Sequence, residues 1–445
     1  MTRSALDVWL YDTLIGRLSE TRPAKLRLEF TVEAERRFRP GSLVLSLALP
    51  IDASRSPKSK AVRAFFSGLL PEGDARDTIA DLFAVSRNDH FGLLGAIGRE
   101  CAGAVILQPA GSPPPSSTGR IELLGDRDLE SLVADLRGHP LGADPDVDVR
   151  VSGAGVQEKL LLAKTADGRW GRPVGGAPSN YILKPQDMRL TGYAAAEDFC
   201  LRLARCIGLT DVDSSVVHID GRPVLVVSRY DRRLNAEGTV ERIHQEDVCQ
   251  ALAVDPASGG DKYQDRGGPS LKTFAATLDR FGQPEELSKL LALTTFNVAV
   301  GNADAHAKNL SVLHPPDGSI FLAPAYDLTP TTFYKKIPTS RGPKDLSDKL
   351  AMWINDKHSI HKVTAEDLVS EASAWGERAA VANAVVEATL AGIAANLDAV
   401  AAHTVIPDAI VEFVSKRVAA LQSGAPAGRA ERPKRAPRFR YNSGL

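Results

Sequence analysis

Cysteine is scarce. The chain has four, Cys101, Cys200, Cys206 and Cys249, with no Cys-x-x-Cys pair and no zinc-like spacing. Most lie in apolar surroundings, so buried thiols are expected rather than a disulfide scaffold, a thiolate metal centre or a cysteine nucleophile. Net charge is almost absent: the formal value is −1 over 445 residues, which removes any global pull toward nucleic acid. No run reads as long and apolar enough to span a membrane. The N-terminus, MTRSALDVWLYD, carries aspartates where a signal peptide needs an apolar core, so a cytoplasmic protein is expected. Internal repeats are missing as well. What is present is an ordinary globular balance, 43% hydrophobic and 24% charged, which favours burial of a core. The length allows roughly two to four domains.

The polar residues that carry chemistry crowd into one stretch. Phe296 to Asp327 reads FNVAVGNADAHAKNLSVLHPPDGSIFLAPAYD. An apolar helical approach ends at Gly301, and Asn302, Asp304, His306, Lys308 and Asn309 follow at once. Leu310 to Leu313 form a short apolar run, Pro315-Pro316-Asp317-Gly318 a turn, and a second apolar run ends in Tyr326-Asp327. The pattern predicts a helix end, a polar loop and a β-hairpin that folds Asp327 back beside Asn309 and Asp304. Hard-oxygen side chains gathered in this way repel and lose hydration unless a cation or hydrogen bonds relieve them. Mg²⁺ suits such a site, taking one or two carboxylates together with phosphate oxygens. Asp304 followed five positions later by Asn309 also has the spacing of a kinase catalytic loop. In such loops the Asp accepts a substrate hydroxyl's proton, the Asn holds metal, and a later Asp holds metal across the phosphates. The plainer alternative is a capped helix followed by an ordinary hairpin.

Three upstream stretches bear on the same chemistry. Val149 to Leu162, VRVSGAGVQEKLLL, brackets Ser152-Gly153-Ala154-Gly155 between apolar alternations. Its glycines let backbone N–H groups approach phosphate oxygens, although no Gly-Lys-Ser/Thr makes it a Walker A loop, and a plain glycine-rich turn would look alike. Tyr181 to Pro185 sets Lys184 at the end of an apolar strand, where it either snorkels or holds phosphates. A helix over Tyr193–Ile207 follows, and its Glu197 either pairs with Lys184 or is a solvated carboxylate. Val216 to Arg233 reads as a hairpin. His244 to Leu252, HQEDVCQAL, reads as the opening of a helix with acidic residues suited to its start. Asp255 to Pro269 is a glycine-rich polar loop containing Lys262-Tyr263, for which the sequence settles no role.

Joined together, these strings resemble one family. Asn302-Ala-Asp304-Ala-His306-Ala-Lys308-Asn309 is similar to the N-x-D-x-H-x-K-N signature of HipA-type kinases, bacterial serine/threonine kinases that act as toxins of toxin–antitoxin pairs. Ser152 to Lys159 matches that family's S-x-x-G-x-Q-x-K loop, including the serine that such enzymes autophosphorylate. Ser228-Arg229-Tyr230-Asp231-Arg232 resembles the E-R-F-D-R hinge whose backbone binds adenine, with Ser228 and Tyr230 departing from the pattern. HQEDVCQAL, FFSGLLPEG and GRECAGAV also match family segments, and the likeness runs from about residue 1 to 420.

The resemblance implies an α+β, two-lobed protein-kinase-like fold of the HipA and phosphoinositide-kinase type, with an N-terminal α/β subdomain and a mainly helical C-terminal lobe. The expected division is 1–107 for the N-terminal subdomain, 108–120 for a Pro- and Ser-rich linker, and 121–240 for the nucleotide-binding part, its first element a helix over Ile121–Leu136. The helical lobe is expected over 241–422 and a disordered basic tail over 423–445. By position, Asp304 is the implied proton acceptor, and Asn309 and Asp327 the implied Mg²⁺ ligands. Ala154, Gly155, Val156, Gln157, Glu158 and Lys159 form the implied phosphate loop, with Lys184 on the phosphates. Ser228, Arg229 and Tyr230 line adenine, and His306, Ala307, Lys308 and Tyr326 sit against nucleotide or catalytic loop. Ser152 is the implied autophosphorylation site. ATP and Mg²⁺ are the implied cofactors. The implied partners are a small helix-turn-helix DNA-binding antitoxin dimer, through which DNA is met only indirectly, and an aminoacyl-tRNA synthetase, the glutamyl enzyme first, whose phosphorylation blocks translation and arrests growth. No membrane is involved. Two other readings stay open: a small-molecule or lipid kinase on the same fold, and a transcriptional corepressor with little activity.

Overall fold

The computed structural model describes residues 5–428 except 23–24, 116–118, 153–156, 188–189, 237, 256–261, 284, 335, 338–343 and 346. Strands β1 (Leu6–Leu10), β2 (Thr13–Arg22), β3 (Lys25–Phe30) and β4 (Val105–Pro109) form an antiparallel sheet ordered β3-β2-β1-β4. Alternation in β3 turns Leu26, Leu28 and Phe30 inward. Helices α1 (Val32–Phe38), α2 (Ser59–Gly68), α3 (Gly73–Leu82) and α4 (His90–Ile97) complete this unit. Val62, Phe65 and Phe66 of α2 lie in a core shared with the sheet. The expected linker begins later than its composition suggests, because Gln108 and Pro109 pair with Asp7 and Leu6 as the end of β4.

The second unit contains β5 (Arg120–Leu123), α5 (Asp126–Ala134), β6 (Leu160–Lys164), β7 (Trp170–Val174), β8 (Tyr181–Pro185), α6 (Tyr193–Cys206), β9 (Ser214–Ile219) and β10 (Arg222–Ser228). Its six strands are ordered β5-β7-β6-β8-β10-β9. A helix was expected over Ile121–Leu136, but the first residues pair with β7 as an edge strand and the helix starts only after Gly125. The helical apolar period is confined to the second half of that stretch.

The third unit begins with β11 (Arg232–Leu234), β12 (Val240–Arg242) and β13 (His244–Asp247), then α7 (Val248–Ala251), α8 (Leu271–Phe281) and α9 (Glu286–Val300). Strands β14 (Ser311–His314) and β15 (Phe321–Leu322) make the expected hairpin and pair with β13. The HQEDVCQAL segment is therefore corrected: four residues are strand, and Asp247 then caps a one-turn helix through a reciprocal capping box with Gln250. Short strands β16 (Lys336–Ile337), β17 (Lys344–Asp345), β18 (Lys349–Ile354) and β19 (Lys357–Ser359) precede helices α10 (Ala365–Ala374), α11 (Ala379–Ala402) and α12 (Asp408–Gln422). Helix α9 is apolar almost all round because α8, α10, α11 and α12 surround it.

Two expectations about this lobe are revised. Among the described residues α11 is long and apolar enough to cross a membrane, though none was expected to be. Its apolar stripe, Ala382, Val386, Leu390, Ile393 and Leu397, is instead spent in the core against α9 and α6. Residues 423–428, assigned by composition to the tail, dock. Ala427 is buried and its N–H donates to the Val363 carbonyl, and Arg417 donates to the Gly428 carbonyl at 2.8 Å. The rest of the tail lies outside the described residues.

Candidate active site

Strand β8 is paired on both sides, by β6 and β10, and delivers Lys184 from the middle of the second sheet. Gln186, just past the strand, accepts from the N–H of Ala194 at 3.1 Å and so fixes the start of α6. One turn on, Glu197 of α6 meets Lys184, with Nζ to Oε1 at 2.6 Å. Lys184 also reaches Oδ1 of Asp327 at 2.9 Å. Burial works to discharge this ammonium, but Asp327 and Glu197 outweigh it and raise its pKa. The Lys184 charge holds Asp327 down to about 2. Burial pushes the Glu197 carboxyl up against the pull of Lys184, and its second oxygen, Oε2, is buried with no hydrogen-bond partner among the described residues. Lys159 stands near both, and burial together with Lys184 brings it down to about 8.

Helix α9 stops at Gly301, whose φ of 79° is left-handed. A Cβ there would lie 2.7 Å from Thr332 Oγ1 and 2.8 Å from the Phe413 ring, so only glycine fits. The following loop is self-bonded: Asn302 Nδ2 donates to Asn297 Oδ1 at 2.9 Å, and Asn302 Oδ1 accepts from the Asp304 N–H at 3.3 Å. Asp304 is exposed. Asn309 Nδ2 donates to the Asp304 carbonyl at 3.2 Å and to Asp327 Oδ2 at 3.1 Å. The hairpin thus returns Asp327 to Asn309, with Asp327 held at a left-handed φ of 56°. Asp304, Asn309, Asp327, Lys184 and Glu197 form one connected set across the two lobes.

A family model described as the HipA-like C-terminal domain matches residues 151–398, and one described as the HipA N-terminal domain matches 6–108. The chain belongs to the HipA family. A protein of Sinorhizobium fredii named "Putative kinase Y4mE" is 36% identical over 375 residues, 82% of this chain and 84% of that one. The serine/threonine-protein kinase toxin HipA of Shewanella oneidensis is 28% identical over 82% of each chain. A HipA chain solved in the Shewanella oneidensis toxin–antitoxin complex of HipA, HipB and operator DNA superposes with a TM-score of 0.76 at 25% identity, covering 94% of this chain and 97% of that one. The fold is the expected two-lobed, kinase-like one.

The remaining expected site residues divide. Tyr326 stacks on Tyr230 with centroids 5.2 Å apart, and its hydroxyl donates to the Lys308 carbonyl at 2.8 Å. His306 is buried and its Nδ1 has no partner among the described residues. Ala307 is buried beneath the loop, and Ser228 Oγ accepts from the N–H of Asp213 at 2.8 Å. Gln157 is half-buried beside β6, and Gly153, Ala154, Gly155 and Val156 lie outside the described residues.

Three charged side chains among the expected site residues have protein partners of their own. Glu158 pairs with Arg137 at 2.9 Å and stands 3.7 Å from Arg222. The Lys308 ammonium is buried on Asp247 at 2.8 Å and the Gly68 carbonyl at 3.3 Å. Arg229 turns into a buried ionic cluster: it meets Glu100 at 3.0 Å and Asp231 at 2.7 Å. Glu100 also takes Arg232 at 2.9 Å and Arg242 at 2.7 Å, and Arg232 meets Asp231 at 3.0 Å. This cluster binds the end of the HipA N-terminal domain to the hinge.

Sequence reasoning missed Glu72, Asp247 and Glu100, and left Tyr263 without a role. Glu72 sits in the PEG turn after α2 and faces Lys262 at 3.0 Å and Lys308 at 3.7 Å. The signal available was a carboxylate in a tight turn inside a family segment; nothing local named its lysines.

Proposed function

We propose that this chain is an ATP-dependent, Mg²⁺-requiring protein serine/threonine kinase that works in the cytoplasm as the toxin of a toxin–antitoxin pair. The observation that carries the reading is the connected set Glu197–Lys184–Asp327–Asn309–Asp304. It reproduces the lysine–glutamate pair, the metal-binding Asp and Asn, and the proton acceptor that phosphoryl transfer uses. Lys184, anchored by Glu197, is placed to meet the α- and β-phosphates. The orphaned Oε2 of Glu197 and Nδ1 of His306 mark buried polar atoms at the edge of this space.

Asp327 and Asn309 fit Mg²⁺. They are a carboxylate and an amide, both able to offer oxygen, brought together at an element end. Among the described residues no three or more His, Cys, Asp or Glu side chains gather as a metal site, which suits an ion completed by phosphate oxygens rather than by a protein cage. Asp327 and Asn309 would hold the ion, which would supply positive charge against the charge that develops during transfer. The chain's own residues do the rest. Lys184 offsets triphosphate charge. Asp304 orients a serine hydroxyl and takes its proton, a role typically worth about 10²–10⁴-fold in rate.

The partner is a small DNA-binding antitoxin, and DNA is reached through it. The similarity to a HipA solved with HipB and operator DNA supports this. The target is an aminoacyl-tRNA synthetase, with the glutamyl enzyme first, and its modification blocks translation. The test compares phosphoproteomes and growth after expression of wild type and Asp304→Ala at equal protein level. New phosphoserine on a synthetase and growth arrest are expected from wild type alone. Equal toxicity of the variant would overturn the reading.

A further inference from the structure

Tyr263 touches the catalytic loop, and nothing in the phosphate chemistry uses it. Its hydroxyl donates to Oδ1 of Asp304 at 2.8 Å. Its ring stands edge-on to that of His306, with centroids 5.3 Å apart. One residue earlier, the Lys262 carbonyl accepts from the N–H of Ala307 at 3.3 Å, and Lys262 Nζ reaches Glu72 Oε2 at 3.0 Å. One residue later, Gln264 Oε1 accepts from the N–H of Trp353 on β18 at 2.8 Å. Residues 262–264 are thus fastened to the catalytic loop, to the HipA N-terminal domain and to the helical lobe.

We propose that Tyr263 is the positioning residue for the catalytic base Asp304, held in place from the N-terminal domain through the Lys262–Glu72 ion pair. The proposal rests on the reading of Asp304 as proton acceptor. Among the described residues, Tyr263 is the single hydrogen-bond partner of the Asp304 carboxylate. An exposed aspartate with no partner samples several rotamers, and a base must hold its oxygen within hydrogen-bond reach of the proton it takes. Engaging Oδ1 fixes the carboxylate and leaves Oδ2 to the acceptor hydroxyl. Glu72 is suited to its part. Burial disfavours its charge, but Lys308 and Lys262 outweigh that and hold its pKa below the ordinary value. The ion pair therefore stays formed at neutral pH. The N-terminal domain reaches the base by this route, through a domain that otherwise lacks catalytic groups.

The alternative gives the opposite sign. If the phenol merely occupied the acceptor's place, removing it would speed transfer. Tyr263→Phe is therefore assayed in the full chain, with β-casein as acceptor and calorimetry of a non-hydrolysable Mg·ATP analogue alongside. The expected result is a fall in kcat of about tenfold or more, the loss of one charge-assisted hydrogen bond, with KM for casein and analogue affinity unchanged. In an Asp304→Ala background the same change should add nothing. Unchanged or faster turnover overturns the proposal. A second arm needs no catalysis: amide hydrogen exchange at residues 262–268 and at Ala307 should quicken in both Tyr263→Phe and Glu72→Gln, with α11 unaffected. Unaltered exchange in Glu72→Gln removes the strap. If wild type transfers phosphate neither to casein nor to its own Ser152, the kinase reading falls by itself and the exchange arm still judges the strap.

Discussion

Ser152 is buried, with its hydroxyl donating to the Leu69 carbonyl at 2.5 Å and its N–H donating to the Glu100 carbonyl at 2.7 Å. A phosphate there would set about −1.5 to −2 charges against a carbonyl in a dry site. The serine must leave before it is modified and cannot return afterward. Ser152→Asp should therefore weaken binding of a Mg·ATP analogue by about tenfold or more, and Ser152→Ala should retain it. Calorimetric titration of both decides the matter, and equal affinities would rule out a charge switch. Mass spectrometry should find phosphate at Ser152 only where Asp304 is intact. The seated hydroxyl was not legible, because Leu69 lies 83 positions away. What was legible is local: Asp304, Asn309 and Asp327 share one loop and hairpin, and Glu197 follows Lys184 by 13 positions. Other partners were not legible: the Lys308 ammonium finds Asp247 at a separation of 61, and Arg229, besides Asp231 two positions on, finds Glu100 at 129. No periodicity encodes such partners.

Elements were readable where their apolar period was long. The hairpin β9–β10 and helix α6 fall within a few residues of expectation, and α10, α11 and α12 lie inside the stretch expected to be helical. Short elements were not, since β5 and β13 exist only through the strands that pair with them. Helix α9 raises a separate issue. Its C-terminal end, from which the catalytic loop departs, is held by Arg417 of α12. Arg417 donates from Nε and Nη2 to the Val298 carbonyl at 3.1 and 2.7 Å, and from Nη1 to Gly428. It is buried with no carboxylate partner among the described residues, and that burial brings its pKa down to about 10. A cation at a helix C-terminus complements both the open carbonyls and the dipole. Arg417→Met fills similar volume but removes the arginine's donors, leaving the Val298 carbonyl to the Gly301 N–H at 3.2 Å and the Gly428 carbonyl without its arginine. It should cost about 2–4 kcal/mol by urea denaturation and speed hydrogen exchange at Ala427 and Gly428. A variant within 0.5 kcal/mol of wild type would show that the arginine merely packs.

At the scale of the whole molecule, the composition and motif order gave two lobes and an N-terminal unit, but not how they are joined. The joints are polar. Tyr11, in the turn between β1 and β2, donates to the His314 carbonyl at 2.6 Å and accepts from the His244 N–H at 2.7 Å. The N–H of Leu47 donates to Glu246 at 2.7 Å. The largest of these joints is the Glu100 cluster, in which two buried carboxylates face the buried Arg229 and Arg232 and the half-buried Arg242. Burial alone would push the Glu100 carboxyl up, but Arg232, Arg242 and Arg229 hold it at about 2. A carboxyl depressed in the folded state contributes stability that is present above its unfolded pKa and is lost as pH falls through the folded value. Relative to an ordinary glutamate, Glu100 should contribute about 3 kcal/mol at neutral pH, disappearing between roughly pH 5 and pH 2. Glu100→Gln keeps the shape but leaves Asp231 alone against the buried Arg229 and Arg232, so it should cost about 3–5 kcal/mol at pH 7. Guanidinium chloride unfolding of both proteins at a series of pH values from 7 to 3 separates the terms. Wild type should lose stability steeply toward acid, and Glu100→Gln should start lower and fall less. Parallel curves would mean that the carboxylate's ionisation does not hold the N-terminal domain to the hinge, and that the packing around it does.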